Sequence, residues 1–122
     1  MMPVIRKHGS NRNFDAAMRF VARNYGGLLQ AATRIELVPA TGRPRQLLGR
    51  FRCRHEQRIV EIMNRRRNVA GLVNTIVHEL THALQEFEGC LEGMPTSECE
   101  REAWEAGNEA MWAYIWRIYG AP

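Results

Sequence analysis

The feature that most restricts the fold is a change in hydrophobic period near residue 68. Before it, residues 47–64 alternate apolar and polar side chains in two runs, which is typical of half-buried β-strands. After it, apolar residues recur at the spacing of one helical face, from Val69 to Phe87. Such a helix has to bury its apolar stripe, so the sequence predicts a helix packed against a sheet.

Local signals predict the elements that precede this helix. Asn13 is placed to cap a first helix over residues 14–25, and Gly26 and Gly27 are placed to end it. Its apolar stripe contains Phe14, Met18, Val21 and Ala22. Residues 33–39 are typical of a short strand, followed by a turn-forming segment.

The two alternating runs and the C-terminal third predict the remaining elements. The link at residues 55–57 indicates a hairpin between the runs. Residues 90–98 read as a connecting loop, and Ser97 is placed to cap a final helix over residues 98–119. We expect one α+β domain over residues 1–122, with a small antiparallel three-stranded sheet.

Composition narrows the classes of protein. The chain has 122 residues, 45% of them hydrophobic and 25% charged, which is the balance of a globular domain. No stretch approaches the roughly 20 apolar residues that cross a bilayer, and the first 13 residues contain no run of signal-peptide length. Cys53, Cys90 and Cys99 form no Cys-x-x-Cys pair and are read as thiols in a reducing compartment. These features favour a soluble cytoplasmic protein that does not span a membrane.

Charge and exposed aromatic residues leave two questions about partners open. The formal net charge is +4, and nine arginines fall between residues 43 and 67. Such a segment is basic enough to attract nucleic acid, although arginines that alternate along strands also form an ordinary solvated face. Trp112, Trp116 and Tyr119 fall on the charged side of the final helix. They indicate either a partner or homo-oligomer surface or packing against the first helix.

The residues with the clearest chemistry are His-Glu-Leu-Thr-His at positions 78 to 82. A separation of four places His78 and His82 on one helix face, with Cβ atoms about 6 Å apart, so both imidazoles can bind one ion. Zinc takes such ligands in a tetrahedron, and a catalytic site leaves one position open for water. Glu79 lies about 100° round the helix, within reach of that water. Helical projection places the histidines opposite the apolar stripe, beside small or polar residues that leave room for substrate: Gly71, Thr75 and Gln85.

A third metal ligand is expected from the final helix. The apolar arc of that helix comprises Cys99, Ala103, Trp104, Ala106, Gly107, Ala110, Met111, Tyr114, Ile115 and Ile118. Glu100 is the acid that projects into the middle of this arc, and a buried carboxylate needs a cation or strong hydrogen bonds. Glu100 is therefore predicted to be a zinc ligand, the alternative being a neutral or arginine-paired carboxyl. Glu102 is the next candidate, because the projection tolerates a shift in the helix start.

The segment from Thr75 to Leu84, together with the run from Glu100 to Trp104, resembles the gluzincin metallopeptidases, particularly the minimal single-domain minigluzincins. The resemblance implies a zinc site formed by the two histidines and a downstream glutamate, which maps onto Glu100. It places Trp104 where the larger enzymes have an aspartate that orients a ligand. It also implies a sheet whose edge strand runs along the cleft and holds an extended peptide.

These observations predict a zinc-dependent metallopeptidase that hydrolyses peptide bonds. His78, His82 and Glu100 are the expected Zn²⁺ ligands, and Glu79 is the expected general base toward a zinc-activated water. Tyr114 is a candidate for stabilising the oxyanion. The expected order of elements is an N-terminal helix, the sheet, a zinc-binding helix and a C-terminal helix that carries the third ligand. The alternative is an arginine-rich protein that binds nucleic acid or a partner and has a structural or non-proteolytic zinc site.

Overall fold

A computed structural model describes residues 1–89 and 96–120. Its elements are β1 (Val4–Lys7), α1 (Arg12–Asn24), α2 (Gly26–Leu29), β2 (Arg34–Pro39), β3 (Gly49–Arg54), β4 (Gln57–Asn64), α3 (Val69–Phe87) and α4 (Thr96–Tyr119). The chain is therefore α+β, as expected. Most of the predicted connecting loop, with Cys90, lies outside the described residues. Within the described ranges, no helix is long and apolar enough to cross a membrane.

The sheet differs from the prediction in both strand number and direction. Over residues 1–89 and 96–120, it has four strands in the order β1-β2-β4-β3. Strand β2 pairs in parallel with β1 and with β4, and only β3 and β4 are antiparallel. The prediction of a three-stranded antiparallel sheet is thus wrong. All four residues of β1 are exposed, so this strand carries no alternating apolar pattern by which the sequence could reveal it.

The predicted hairpin between β3 and β4 is confirmed. Its two-residue turn consists of His55 and Glu56, which both have positive φ, as in the turns that suit the twist of a hairpin. The register places Gly49 opposite Ile62. Because side chains alternate along a strand, Gly49 and Phe51 lie on the sheet face that meets the helices, and Arg50 lies on the other face. Strand β3 is an edge strand, and no strand of the described residues pairs with its outer side.

The first helix begins earlier than predicted. Asn11, not Asn13, is its N-cap, and the Asn11 side chain accepts a hydrogen bond from the backbone N–H of Phe14. Asn13 instead donates to the carbonyl of Arg67. The buried residues of α1 are Phe14, Ala17, Phe20 and Val21, whereas Ala22, which was assigned to the stripe, is exposed. The glycine pair that was expected to end this helix instead begins the short helix α2.

Helices α3 and α4 pack together along a seam of small residues. Cys99, Ala103, Gly107 and Ala110 are the buried residues of α4. A Cβ at Gly107 would lie 2.5 Å from Asn74 Oδ1 and 2.8 Å from the Asn74 carbonyl, so the close approach requires glycine there.

The predicted boundaries and apolar arc of α4 need correction. The helix begins at Thr96, which places the predicted cap Ser97 inside its first turn. Trp104 and Ile118, both assigned to the apolar arc, are exposed. The reason is that the seam with α3 is narrow, so large residues at its margins remain in solvent.

Candidate metal centre

The two predicted histidine ligands lie side by side on α3. Asn68 caps this helix by accepting a hydrogen bond from the Gly71 N–H, and the helix ends at Phe87 as its apolar period predicts. His78 and His82 are half-buried, with ring centroids 5.0 Å apart and ring planes at 76°. Their face lies away from the fully buried stripe of α3, which includes Leu72, Ile76 and Leu80.

Helix α4 brings Glu100 to these histidines. Glu100 Oε1 is 2.7 Å from His82 Nε2, and Glu100 Oε2 is 3.6 Å from His78 Nε2. Zinc bonds of 2.0–2.1 Å in a tetrahedron hold neighbouring ligand atoms about 3.3 Å apart, and the two observed distances bracket that value. The three ligand atoms lie within 4.8 Å of one another. Two imidazole nitrogens and a carboxylate oxygen in this arrangement suit zinc.

The burial of Glu100 was predicted incorrectly. Its side chain is 58% exposed, although helical projection had placed it in the middle of the buried arc. Glu100 follows the buried Cys99 at the margin of the seam, from where it reaches across to α3. Glu102, the other candidate ligand, does not join the triad, and its Oε1 accepts a hydrogen bond from Gln85 Nε2.

Gln85 connects the triad to the protein interior, a role that the sequence did not predict. It was assigned to the open space beside the histidines, yet it is only 2% exposed. Gln85 Nε2 donates to the Cys99 carbonyl and to Glu102, both at 3.1 Å. Its Oε1 is therefore the acceptor for His82 Nδ1–H, at 2.9 Å. This places the His82 proton on Nδ1 and leaves the Nε2 lone pair facing Glu100. The sequence signal for this role was the position of Gln85 three residues after His82, on the same helix face.

The electrostatics of the triad favour a cation. In this tautomer, His82 Nε2 and the Glu100 carboxylate oxygen are both acceptors, so their short separation requires a proton or a metal ion between them. Burial, with a smaller contribution from His82, lowers the pKa of His78 although Glu100 opposes the shift. His78 is therefore a neutral imidazole at neutral pH, which is the form that binds metal ions.

Glu79 lies beside the triad and is buried, with 8% of its surface exposed. Burial raises its pKa to about 7, while the charge of His82 opposes the shift and that of Glu100 adds to it. Strand β3 passes close to this carboxyl. A Cβ at Gly49 would lie 2.8 Å from Thr75 Cγ2 and 3.2 Å from Glu79 Cγ. The absence of a side chain at position 49 therefore lets the edge strand approach Glu79.

These groups line a cleft of about 450 Å³. Its walls are Gly49, Arg50, Phe51, His78, Glu79, His82, Thr96, Cys99 and Glu100. The edge strand thus borders the cleft, as the resemblance implied. A second recess of about 290 Å³ is also lined by His78 and Glu79. Tyr114 does not line either space, and its ring packs edge-on against Phe20 with centroids 5.3 Å apart.

Five of the nine arginines in segment 43–67 have partners inside the protein. Arg50 and Arg52 pair with the buried carboxylate of Glu61. Arg58 donates to the Ala31 carbonyl and lies over the ring of Phe87. Arg65 donates to the carbonyls of Leu47 and Pro44, and Arg67 donates to Thr75 and Gly71.

The aromatic residues at the end of α4 are partly exposed. Trp112 and Trp116 contact each other with ring centroids 6.4 Å apart, and each keeps nearly half of its surface in solvent. Trp116 also borders a recess with Phe20 and Tyr25 of the N-terminal region. The recess shared with Phe20 agrees in part with packing against the first helix, and the partner surface stays a prediction.

No protein-family model, curated protein or solved structure matches the chain. The function is therefore inferred from the chemistry of the site.

Proposed function

We propose that this chain is a zinc-dependent metallopeptidase of the gluzincin type. The observation that carries the proposal is the meeting of His78, His82 and Glu100 from two helices, with the buried carboxyl of Glu79 beside them in one cleft. A structural zinc site usually has four protein ligands, whereas three ligands and an adjacent acid in a cleft are typical of a catalytic one.

Three side chains would bind the metal, and one of them is oriented by a further hydrogen bond. Nε2 of each histidine and a carboxylate oxygen of Glu100 would hold the metal. Gln85 orients His82 through Nδ1, which is the usual way in which a ligand histidine is held in one tautomer. This hydrogen bond takes over the orienting role that the resemblance had assigned to position 104. Zinc held there supplies a Lewis acid that lowers the pKa of water and polarises a carbonyl group.

Glu79 carries the proton transfers in this proposal. Its carboxylate accepts a proton from the attacking water and then donates it to the leaving amine. In the metal-free protein, burial raises the pKa of Glu79 to about 7, so this carboxyl can take up a proton near neutral pH. A neighbouring dication favours the ionised form, so Glu79 is available as a base when the reaction starts.

The edge of β3 favours a peptide as the substrate. Gly49, Arg50 and Phe51 border the cleft, and the outer side of their strand pairs with no strand in the part of the chain that the structure describes. An extended peptide can add to such an edge through backbone hydrogen bonds, which would align its scissile bond beside Glu79. Arg50 and Arg52 share the carboxylate of Glu61, and Arg58 and Arg65 are held by backbone carbonyls. Fewer arginines of this segment are therefore free to contact phosphates, which favours the peptidase over the nucleic-acid alternative.

The proposal is tested by metal analysis coupled to cleavage of a peptide library. Protein refolded with zinc is expected to hold one zinc per chain and to cleave peptides. Glu79→Gln keeps the zinc and loses at least about 100-fold in rate, because the amide preserves shape but cannot accept the proton. Glu105→Gln, on the exposed side of α4, is the matched control. Zinc below about 0.3 per chain, or Glu79→Gln activity within a few-fold of wild type, contradicts the proposal.

A further inference from the structure

We propose that the recess beyond Glu79 is a carboxylate-binding subsite in which Arg67 sets substrate specificity. The substrate would carry a carboxylate on the first residue after the cleaved bond. This inference rests on the proposed peptidase function and names a class of substrate for it.

The position of the recess assigns it to the leaving side of the substrate. Its lining residues are Gln46, Leu48, Gly49, Arg67, Asn74, Thr75, His78 and Glu79. It shares Gly49, His78 and Glu79 with the main cleft, but neither His82 nor Glu100 lines it. The recess therefore lies on the Glu79 side of the triad. Since Glu79 donates its proton to the leaving amine, the residue that carries this amine lies on that side.

Arg67 is held rigidly by neutral acceptors. Its Nη1 donates to Thr75 Oγ1 at 2.7 Å and its Nη2 donates to the Gly71 carbonyl at 2.8 Å. Both partners belong to α3, so the guanidinium is fixed relative to the triad. A guanidinium has five N–H donors, and three remain after these two hydrogen bonds. The side chain thus combines a fixed position with unused donors at a recess.

The charge of Arg67 lacks a counterion in the described ranges. No carboxylate of residues 1–89 or 96–120 lies within 4.0 Å of its nitrogens, in contrast to Arg50 and Arg52, which share Glu61. The side chain is half-buried, and burial lowers the pKa of its guanidinium. A partly desolvated cation gains most from a carboxylate ligand, whose two oxygens match the planar fork of arginine.

The recess has room for one residue, which leaves two sources for the carboxylate. An aspartate or glutamate side chain supplies it when the residue after the cleaved bond is acidic. The C-terminal carboxylate supplies it when that residue ends the peptide. Gln46 and Asn74 offer amides at the same recess, although the Asn74 Nδ2 group also donates to Asn108 Oδ1 at 2.8 Å.

The test compares matched peptides with the zinc-loaded protein. One pair has Glu or Gln after the cleaved bond, within an amidated peptide, and a second pair ends at that residue with a free or an amidated C-terminus. We expect kcat/KM to be about 10-fold or more higher for the carboxylate member of at least one pair. Arg67→Met removes this ratio, and Arg67→Glu shifts the preference toward Lys at that position. Arg66→Met, at the exposed neighbouring position, keeps the ratio.

The ratio separates specificity from damage to the fold. Loss of the hydrogen bonds to Thr75 and Gly71 affects both members of a pair equally, so lower stability alone leaves the ratio unchanged. Equal cleavage of both members by wild type, or a ratio that Arg67→Met retains, overturns the subsite while the peptidase proposal stands.

A binding measurement covers the case in which no peptide is cleaved. Short peptides that begin with Glu or Gln are titrated into the Glu79→Gln protein by calorimetry. We expect the Glu peptide to bind about 10-fold more tightly, and Arg67→Met in this background to abolish the difference. Absence of cleavage with this preference present refutes the proposed function alone. Equal affinities refute the subsite.

Discussion

Replacement of Gln85 by methionine tests whether this buried amide positions the metal ligands. Methionine has similar volume but lacks the three hydrogen bonds that join Gln85 to His82, the Cys99 carbonyl and Glu102. Without an acceptor at Nδ1, His82 loses the preference for the tautomer that exposes Nε2. The substitution should therefore weaken zinc binding even in protein that is fully folded.

The expected magnitudes follow from which partners remain unsatisfied. Glu102 is exposed and recovers a hydrogen bond from water, and the Cys99 carbonyl lies inside α4 and keeps its helical hydrogen bond, whereas His82 Nδ1 lies against the protein interior. The one orphaned group, His82 Nδ1, implies a loss of about 1–3 kcal/mol in the stability of the metal-free protein. Loss of an outer-shell partner of a ligand histidine typically lowers metal affinity by about 10- to 100-fold.

The assay measures zinc affinity by competition with a chelator, at a temperature where circular dichroism shows the variant to be folded. Urea denaturation of the metal-free protein separately gives the change in its free energy of unfolding. Glu102→Gln is the matched control, because its amide oxygen can still accept from Gln85 while the charge is removed, and its zinc affinity should stay within a few-fold of wild type. A folded Gln85→Met protein with wild-type zinc affinity would refute the positioning role.

Three further predictions concern the ligand, the base and the helix seam. Glu100→Ala should lower zinc affinity at least about 100-fold in the chelator assay. It should change the stability of the metal-free protein by under about 0.5 kcal/mol in the urea assay, because the side chain is largely exposed. Glu98→Ala should change neither quantity. Because the folded pKa of Glu79 is raised from 4.5 to about 7, its contribution to metal-free stability is fully present below pH 4.5 and is lost as the pH rises through 7. This loss amounts to at most about 3–4 kcal/mol, and urea titrations across this range should show it as a difference between wild type and Glu79→Gln. Gly107→Ala should cost about 1–3 kcal/mol by forcing α4 away from α3, whereas Gly26→Ala, where a Cβ meets nothing within 4 Å, should be nearly neutral in thermal denaturation.

Local signals explain why the hairpin and α3 could be predicted from the sequence. The residues of α3 between Asn68 and Phe87 combine a capping side chain with an apolar stripe of constant period, and both features act within the element itself. The same periodicity places His78, Glu79 and His82 without reference to the rest of the fold. Glu100 was predicted to meet these histidines because it was expected to be buried, and this reason is wrong, since its side chain is 58% exposed. The resemblance to gluzincins pointed to the same position without that assumption.

Features that depend on contacts distant in sequence could not be predicted in the same way. Strand β1 is exposed along its whole length and is recognisable only through its pairing with β2. The choice of Asn11 over Asn13 as the cap depends on where the chain enters α1, since both asparagines suit the position chemically. The burial of Gln85 depends on α4 covering it, and helical projection of α3 alone therefore assigned it to open space.

The packing of α4 and the binding of metal should stabilise each other. Two of the three proposed ligands lie on α3, so only the distance of Glu100 depends on how closely the helices approach. Gly107 allows the two helices to lie close together near the middle of α4. The hydrogen bond from Gln85 to the Cys99 carbonyl fixes their separation next to Glu100. A metal ion bound to Glu100 and His82 adds a third connection across the same seam. By linkage, zinc should therefore raise the stability of the α3–α4 pair, and substitutions that separate the helices should lower zinc affinity from a distance.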